Sequence, residues 1–311
     1  LRQEIKVPDR ISFIGFASGW GAQVRETERG PEALYQSGIL STLPCSWEWK
    51  ETLFPLKLAQ DLHLPSGRET LPYIEDICKR TALSVVDVLQ SHHFPVVIGG
   101  DHTVAAGTWA GVAFALKNKQ KLGLLWIDAH MDAHTMATSP SKAYHGMPLA
   151  ELLGHGDPSL VNILEDGPVL NPQHVCLIGI RSYEEGEEAL LNRLGVRIYY
   201  MSDIQERGFD TVFQEALHYV KQNTDGFGVT IDLDAFDPGE APGVGTPEFQ
   251  GLEVQEVLPA LTSLQHDPDL KALEIVEYNP ERDKDDRTLS LIRDLLINIL
   301  PPLGMISGRN T

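Results

Sequence analysis

Along almost the whole chain, apolar runs too short to be helices alternate with amphipathic stretches, and this alternation most constrains the fold. The runs are RISFIGF (11–16 with Arg10), FPVVIGG (94–100), LGLLWIDAH (122–130), HVCLIGIR (174–181), VRIYYM (196–201), GFGVTIDLD (226–234) and LKALEIVEY (270–278). Their length and β-branched content mark strands. Between them, Ile74, Ile77, Cys78, Ala82, Val85 and Leu89 recur at helical spacing within residues 70–92. EGEEALLNRLG, FDTVFQEALHYVKQ and the closing RTLSLIRDLLINIL also read as helices. Strands apolar on both faces, separated by helices, predict an α/β fold: a three-layer α-β-α sandwich around a central, mainly parallel sheet. No linker, repeat or low-complexity tract interrupts the pattern, so one domain over 1–311 is expected. The long irregular pieces are 133–147 and 235–251.

In such sheets function gathers at the carboxyl ends of the strands. Three of those ends here carry polar clusters: GGDHT (99–103), DAHMD (128–132) and DLDAFD (232–237). Side chains alternate along an extended strand, so Asp128, His130 and Asp132 are expected to point one way, as are Asp232 and Asp234. Carboxylates crowded at a low-dielectric strand end repel one another and are costly to desolvate unless cations sit among them. Four carboxylates and two neutral imidazoles, with His102 as the second histidine, match the charge of two divalent ions. Oxygen and imidazole donors without thiolate favour manganese first, with cobalt, nickel, iron or zinc as alternatives. Two such ions can share a water and present it as hydroxide to carbon or phosphorus.

Composition narrows the partners. The formal charge of −19, from 25 basic and 44 acidic residues, leaves no basic surplus to neutralise phosphates, which argues against nucleic acid. It suits attraction of a small cation. No apolar run approaches the roughly 20 residues that span a bilayer, so no membrane partner is expected. Three widely spaced cysteines, Cys45, Cys78 and Cys176, suggest neither a disulfide framework nor a thiolate site. The stretch LRQEIKVPDR has no signal-peptide pattern, and a cytoplasmic location is the expectation.

Taken together the motifs resemble the ureohydrolase superfamily of arginases and agmatinases, and most closely arginases. The resemblance runs in order through RGPEAL (29–34), GGDHT, DAHMD, SPSKAYHGMPLA (139–150), IGIRSYEEGE (178–187), DLDAFDP (232–238), APGVGTPE (241–248) and EYNPERD (277–283). It implies two manganese ions per subunit. His102, Asp128, Asp132 and Asp232 would bind one, and His130, Asp128, Asp232 and Asp234 the other, with Asp128 and Asp232 bridging. It implies a metal-bridging hydroxide attacking a guanidinium carbon, releasing urea and an amine. Asp132, His145 and Glu277 would be the catalytic groups. Glu277 grips the guanidinium, for whose forked donors a carboxylate is apt, and His145 assists the leaving amine by proton transfer. Thr246 is a further substrate-site residue by the same resemblance, and a homo-oligomer, a trimer or hexamer, is implied.

The substrate's far end departs from the arginase pattern. His134 stands where arginases usually have asparagine, and SKA (141–143) where they have SGN. Ser182, Tyr183 and Glu184 occupy the place of an aspartate pair, while Glu187 keeps a family acid. His134 and Ser141, with Lys142 at the rim, still suit an α-carboxylate, and Glu184 with Glu187 an α-ammonium. L-Arginine is therefore the expected small-molecule substrate. Agmatine, guanidinobutyrate, formiminoglutamate and free guanidine are the alternatives within the same chemistry. A two-metal phosphoesterase would need basic side chains beside the metals, for which Arg181 is the candidate. A metal-stabilised binding protein without turnover is a third class, disfavoured by the presence of Glu277 and His145.

Overall fold

The computed structural model describes residues 10–56, 67–117 and 121–302, so most of the N-terminal stretch read above lies outside the described residues. The strands are β1 (Ile11–Phe16), β2 (Trp47–Leu53), β3 (Phe94–Gly99), β4 (Leu122–Ile127), β5 (Val175–Ile180), β6 (Arg197–Tyr200), β7 (Gly226–Asp232) and β8 (Leu270–Val276). They form one sheet in the order β2-β1-β3-β8-β7-β4-β5-β6. Every ladder between them is parallel.

Helices cover both faces, as continuous apolar strands require. Side chains of β4 divide by alternation: Leu125 and Ile127 join one apolar core, while Leu122, Leu124 and Trp126 join the other. The first core is closed by α1 (Gly30–Gln36), α7 (Met201–Arg207), α8 (Phe209–Lys221), α9 (Val254–Leu261) and α10 (Arg287–Ile299). The second is closed by α2 (Leu71–Gln90), α3 (Val104–Ala115), α4 (Pro148–Leu152), α5 (Pro158–Val161) and α6 (Glu185–Leu194). On α2 the predicted stripe is buried from Ile74 to Val85, and Leu89 is partly buried at its end.

Local signals set the helix ends. Pro31 sits in the first turn of α1, where its missing N–H costs nothing. The reciprocal capping box of Glu184 and Glu187 starts α6, and left-handed Gly195 stops it. Gly228 on β7 has a packing reason: a Cβ there would lie 1.9 Å from Cζ3 of Trp109. The absent side chain lets the α3 indole lie directly on the sheet, from where its Nε1 donates to Glu274 on β8 at 3.2 Å.

Strand β2, WEWKETL, is absent from the sequence expectation. It is an edge strand with Lys50 exposed and Glu48 and Glu51 half-buried, charges that its solvent-facing flank tolerates.

Candidate active site

Strands β3, β8, β7 and β4 are adjacent at the middle of the sheet, and each ends in a polar residue group. His102 follows β3, Glu277 follows β8, Asp232 ends β7 with Asp234 just beyond, and Asp128, His130 and Asp132 follow β4. The register of the parallel ladders brings these ends, distant in sequence, to one place.

The convergence is not made by strand alternation, which corrects the expectation above. β4 stops at Ile127, and residues 128–132 are irregular, with Asp132 in the left-handed region at φ 46°. Asp232 ends its strand but caps a short 3-10 turn, accepting from the Asp234 N–H at 2.9 Å. Asp128 does the same for His130, accepting its N–H at 2.7 Å. In both clusters an aspartate-capped turn, rather than a pleat, sets the side chains side by side.

The ligand atoms of His102, Asp128, Asp132 and Asp232 lie within 4.8 Å of one another, and so do those of Asp128, His130 and Asp234. His102 Nδ1 faces Asp132 at 3.0 Å, Asp232 at 3.1 Å and Asp128 at 3.3 Å. Despite that company, it makes no hydrogen bond of acceptable geometry among the described residues. Its other nitrogen, Nε2, lies 3.0 Å from Thr230 Oγ1, which donates to Glu274 at 2.8 Å. Because the threonine hydrogen is spent on Glu274, Nε2 carries the imidazole proton, and Nδ1 turns a lone pair toward three carboxylates. Lone pairs converge in this way on a cation, so the residues fit a metal ion. His130 repeats the pattern, with Nδ1 3.2 Å from Asp234 and Nε2 3.7 Å from Glu248.

Electrostatics agree. Burial, together with the charges of neighbouring aspartates, pushes the Asp132 and Asp232 carboxyls above their usual range. Burial alone would lower the His102 and His130 pKa values, but the surrounding aspartates overcome it and raise both. Left to protons, the cluster balances itself by taking them up; divalent ions supply the same positive charge without spending the donors.

Glu277 is almost fully buried, and it too has a positive φ, 68°. Its Oε1 accepts from the His102 backbone N–H at 3.0 Å and pairs with His145 Nδ1 at 3.1 Å. Oε2 has no hydrogen-bond partner among the described residues, and a Cβ on Gly245 would lie 3.0 Å from it. The glycine leaves one face of this carboxylate open. Burial works against a charged His145, but the hydrogen bond to Glu277 outweighs it and raises the imidazole pKa to about 9.

The residues expected at the substrate's far end divide. His134, Glu184 and Glu187 come together, with His134 Nε2 2.8 Å from Glu184 and 3.3 Å from Glu187. Burial drives the Glu187 carboxyl up to about 8. Ser141 is exposed and occupied within its loop, accepting from the Ala143 N–H at 3.2 Å. Lys142 donates to the Met136 carbonyl at 2.9 Å. Thr246 donates to Asp234 Oδ2 at 2.9 Å, which makes it a support of the acid cluster in this structure.

Arg181 donates to the carbonyls of Phe249, Ala235, Asp234 and Glu248, a structural clamp that leaves it poorly placed to grip a phosphate. Sequence reasoning missed Trp126, whose Nε1 donates to Asp128 Oδ2 at 2.8 Å, and the Thr230–Glu274 pair behind His102. The signal available for Glu274 was a carboxylate inside a largely apolar strand.

Comparison with known proteins gives a consistent picture. A match to the Arginase family spans residues 9–301. The arginase of Bacillus caldovelox is 39% identical over 285 residues, covering 90% of this chain and 94% of that protein. The arginase of Brevibacillus brevis is 35% identical over 297 residues, covering 93% and 97%. The crystal structure of the Bacillus caldovelox arginase superposes with a TM-score of 0.85 at 37% identity, covering 94% of this chain and 98% of that one.

Proposed function

Because the chain belongs to the arginase family, we propose that it hydrolyses L-arginine to urea and L-ornithine. It is a hydrolase of guanidino carbon–nitrogen bonds, and its family works through a binuclear metal centre. The observation that carries the substrate reading is the open Oε2 of Glu277, a buried acceptor beside the crowded acid cluster with no partner among the described residues.

His102, Asp128, Asp132 and Asp232 would hold one ion, and His130, Asp128, Asp232 and Asp234 the second, with manganese the assignment that this oxygen-rich donor set favours. Bound there, the ions would supply the nucleophile by lowering the pKa of a water. Glu277 accepts a guanidinium N–H at Oε2, while His102 N–H and His145 fix Oε1 and keep the carboxylate from turning. Asp132 would accept a proton from the nucleophile. His145, protonated at neutral pH because of Glu277, holds a proton for the departing amine. Glu184 and Glu187 accept from the α-ammonium, and His134 and Ser141 serve the α-carboxylate. A homo-oligomer, trimeric or hexameric, and a cytoplasmic location complete the proposal.

The test is urea release from L-arginine and agmatine at equal concentration, by manganese-loaded and metal-free protein. Preference for arginine in the loaded form supports the reading; preference for agmatine moves the assignment to a relative that ignores the α-carboxylate. Asp128→Asn should remove metal and turnover together, and near-normal turnover in that variant contradicts the ligand assignment.

A further inference from the structure

His134, Glu184 and Glu187 gather a third set of metal-type donors within 4.8 Å of one another, outside the two groups described above. A tetrahedral ion with ligands at about 2.0–2.1 Å needs donor atoms roughly 3.3 Å apart. His134 Nε2 stands 2.8 Å from Glu184 Oε2 and 3.3 Å from Glu187 Oε2, so small side-chain adjustments suffice.

The surroundings prepare the same donors. Nδ1 of His134 lies 3.1 Å from Thr138 Oγ1, and Nε2 lies 2.8 Å from the Glu184 carboxylate, which only accepts, so Thr138 donates to Nδ1 and Nε2–H donates to Glu184. A divalent ion would take the place of that Nε2 proton. Glu187 is held by the N–H groups of Ala133 and Glu184 at 3.1 Å each, and keeps further lone pairs free. The Glu184 side chain is 59% exposed, so a fourth position remains open to water. The histidine is also the residue by which this chain departs from the usual arginase asparagine, which lacks an imidazole lone pair.

We propose that these three residues form a third divalent-cation site, suited to zinc, and that its occupation blocks the subsite for the substrate's ammonium. One histidine and two carboxylates with an open position suit zinc better than the larger oxygen-rich sets suit it. The ion and the α-ammonium compete for the same two carboxylates. Zinc therefore acts as an inhibitor competitive with arginine at concentrations that leave the binuclear pair intact. The inhibitory half rests on the arginase reading, whereas the binding half does not.

The experiment saturates the full chain with manganese, adds zinc chloride, removes free metal by desalting, and counts both elements by mass spectrometry. Wild type is expected to keep two manganese ions and gain one zinc. His134→Asn and Glu184→Gln should keep the manganese and lose zinc affinity by at least the roughly tenfold that removal of a mere outer partner costs. Glu184 is exposed, so its variant keeps the test valid if His134→Asn folds poorly. Zinc that replaces manganese one for one, or a third ion undiminished in both variants, overturns the site. A third ion without inhibition of arginine hydrolysis retains the site and overturns its placement on the ammonium subsite. Turnover of agmatine instead of arginine refutes the substrate reading and leaves the metal count standing.

Discussion

Glu277→Gln isolates the guanidinium grip from the metal centre. In the variant, the amide oxygen is held where Oε1 now accepts from the His102 N–H and faces His145. The amide nitrogen then takes the place of Oε2, which is buried and has no partner among the described residues. A donor thus meets the donors of the guanidinium. One charge-assisted hydrogen bond is lost, worth about 1.5–3 kcal/mol, and a buried N–H is left unpaired at a cost of about 1–3 kcal/mol. The sum, roughly 3–6 kcal/mol, predicts a fall in kcat/KM of about 10²–10⁴. Urea release should be measured alongside metal content and thermal stability. Because Glu277 belongs to neither group of converging metal donors, the variant should retain its full complement of ions. A kcat/KM within about threefold of wild type, with metal retained, would refute the argument that Oε2 receives the substrate. Loss of metal would refute the separation of the two roles.

Other consequences reach beyond the substrate. Glu151 on α4 is buried with neither carboxylate oxygen partnered among the described residues, and burial raises its pKa well above the ordinary value. An unfolded glutamate ionises near 4.3, so above that pH the folded chain holds a proton the unfolded chain has released, and stability falls as pH rises toward the raised native pKa. Glu151→Met should therefore raise the Tm more at pH 8 than at pH 5, gaining about 1–3 kcal/mol at the higher pH; an equal shift at both contradicts this. Gly228→Ala forces a methyl into Trp109 and should cost about 1–3 kcal/mol by denaturant unfolding. Since Trp109 also donates to the Glu274 that holds Thr230 behind His102, metal affinity should weaken with it, and a variant as stable and as metal-rich as wild type would refute that coupling.

How much was legible follows from the range over which each feature is decided. Apolar runs on both faces foretold a parallel sheet with helices on either side, because burial of a central strand leaves little room for polar side chains. The edge strand β2 escaped notice because one of its flanks meets solvent and tolerates Glu48, Lys50 and Glu51. The converging donors His102, Asp128, His130, Asp132, Asp232 and Asp234 were legible as residue types, since carboxylates at strand ends need compensation wherever they sit.

Tertiary structure decided what those donors face. The strand order sets β3, β8, β7 and β4 side by side, and no local pattern encodes that adjacency. Capped turns, rather than strand pleating, aim Asp128 and Asp232, because the chain leaves the sheet before the acids are complete. The free oxygen of Glu277, the lone pair of His102 and the pairing of His134 with Glu184 and Glu187 each depend on partners remote in sequence. The sequence by itself determined the layers and the chemical inventory, through local periodicity and the cost of buried charge. Which of those groups are paired, and which remain open to a substrate or an ion, was decided only where distant segments pack together.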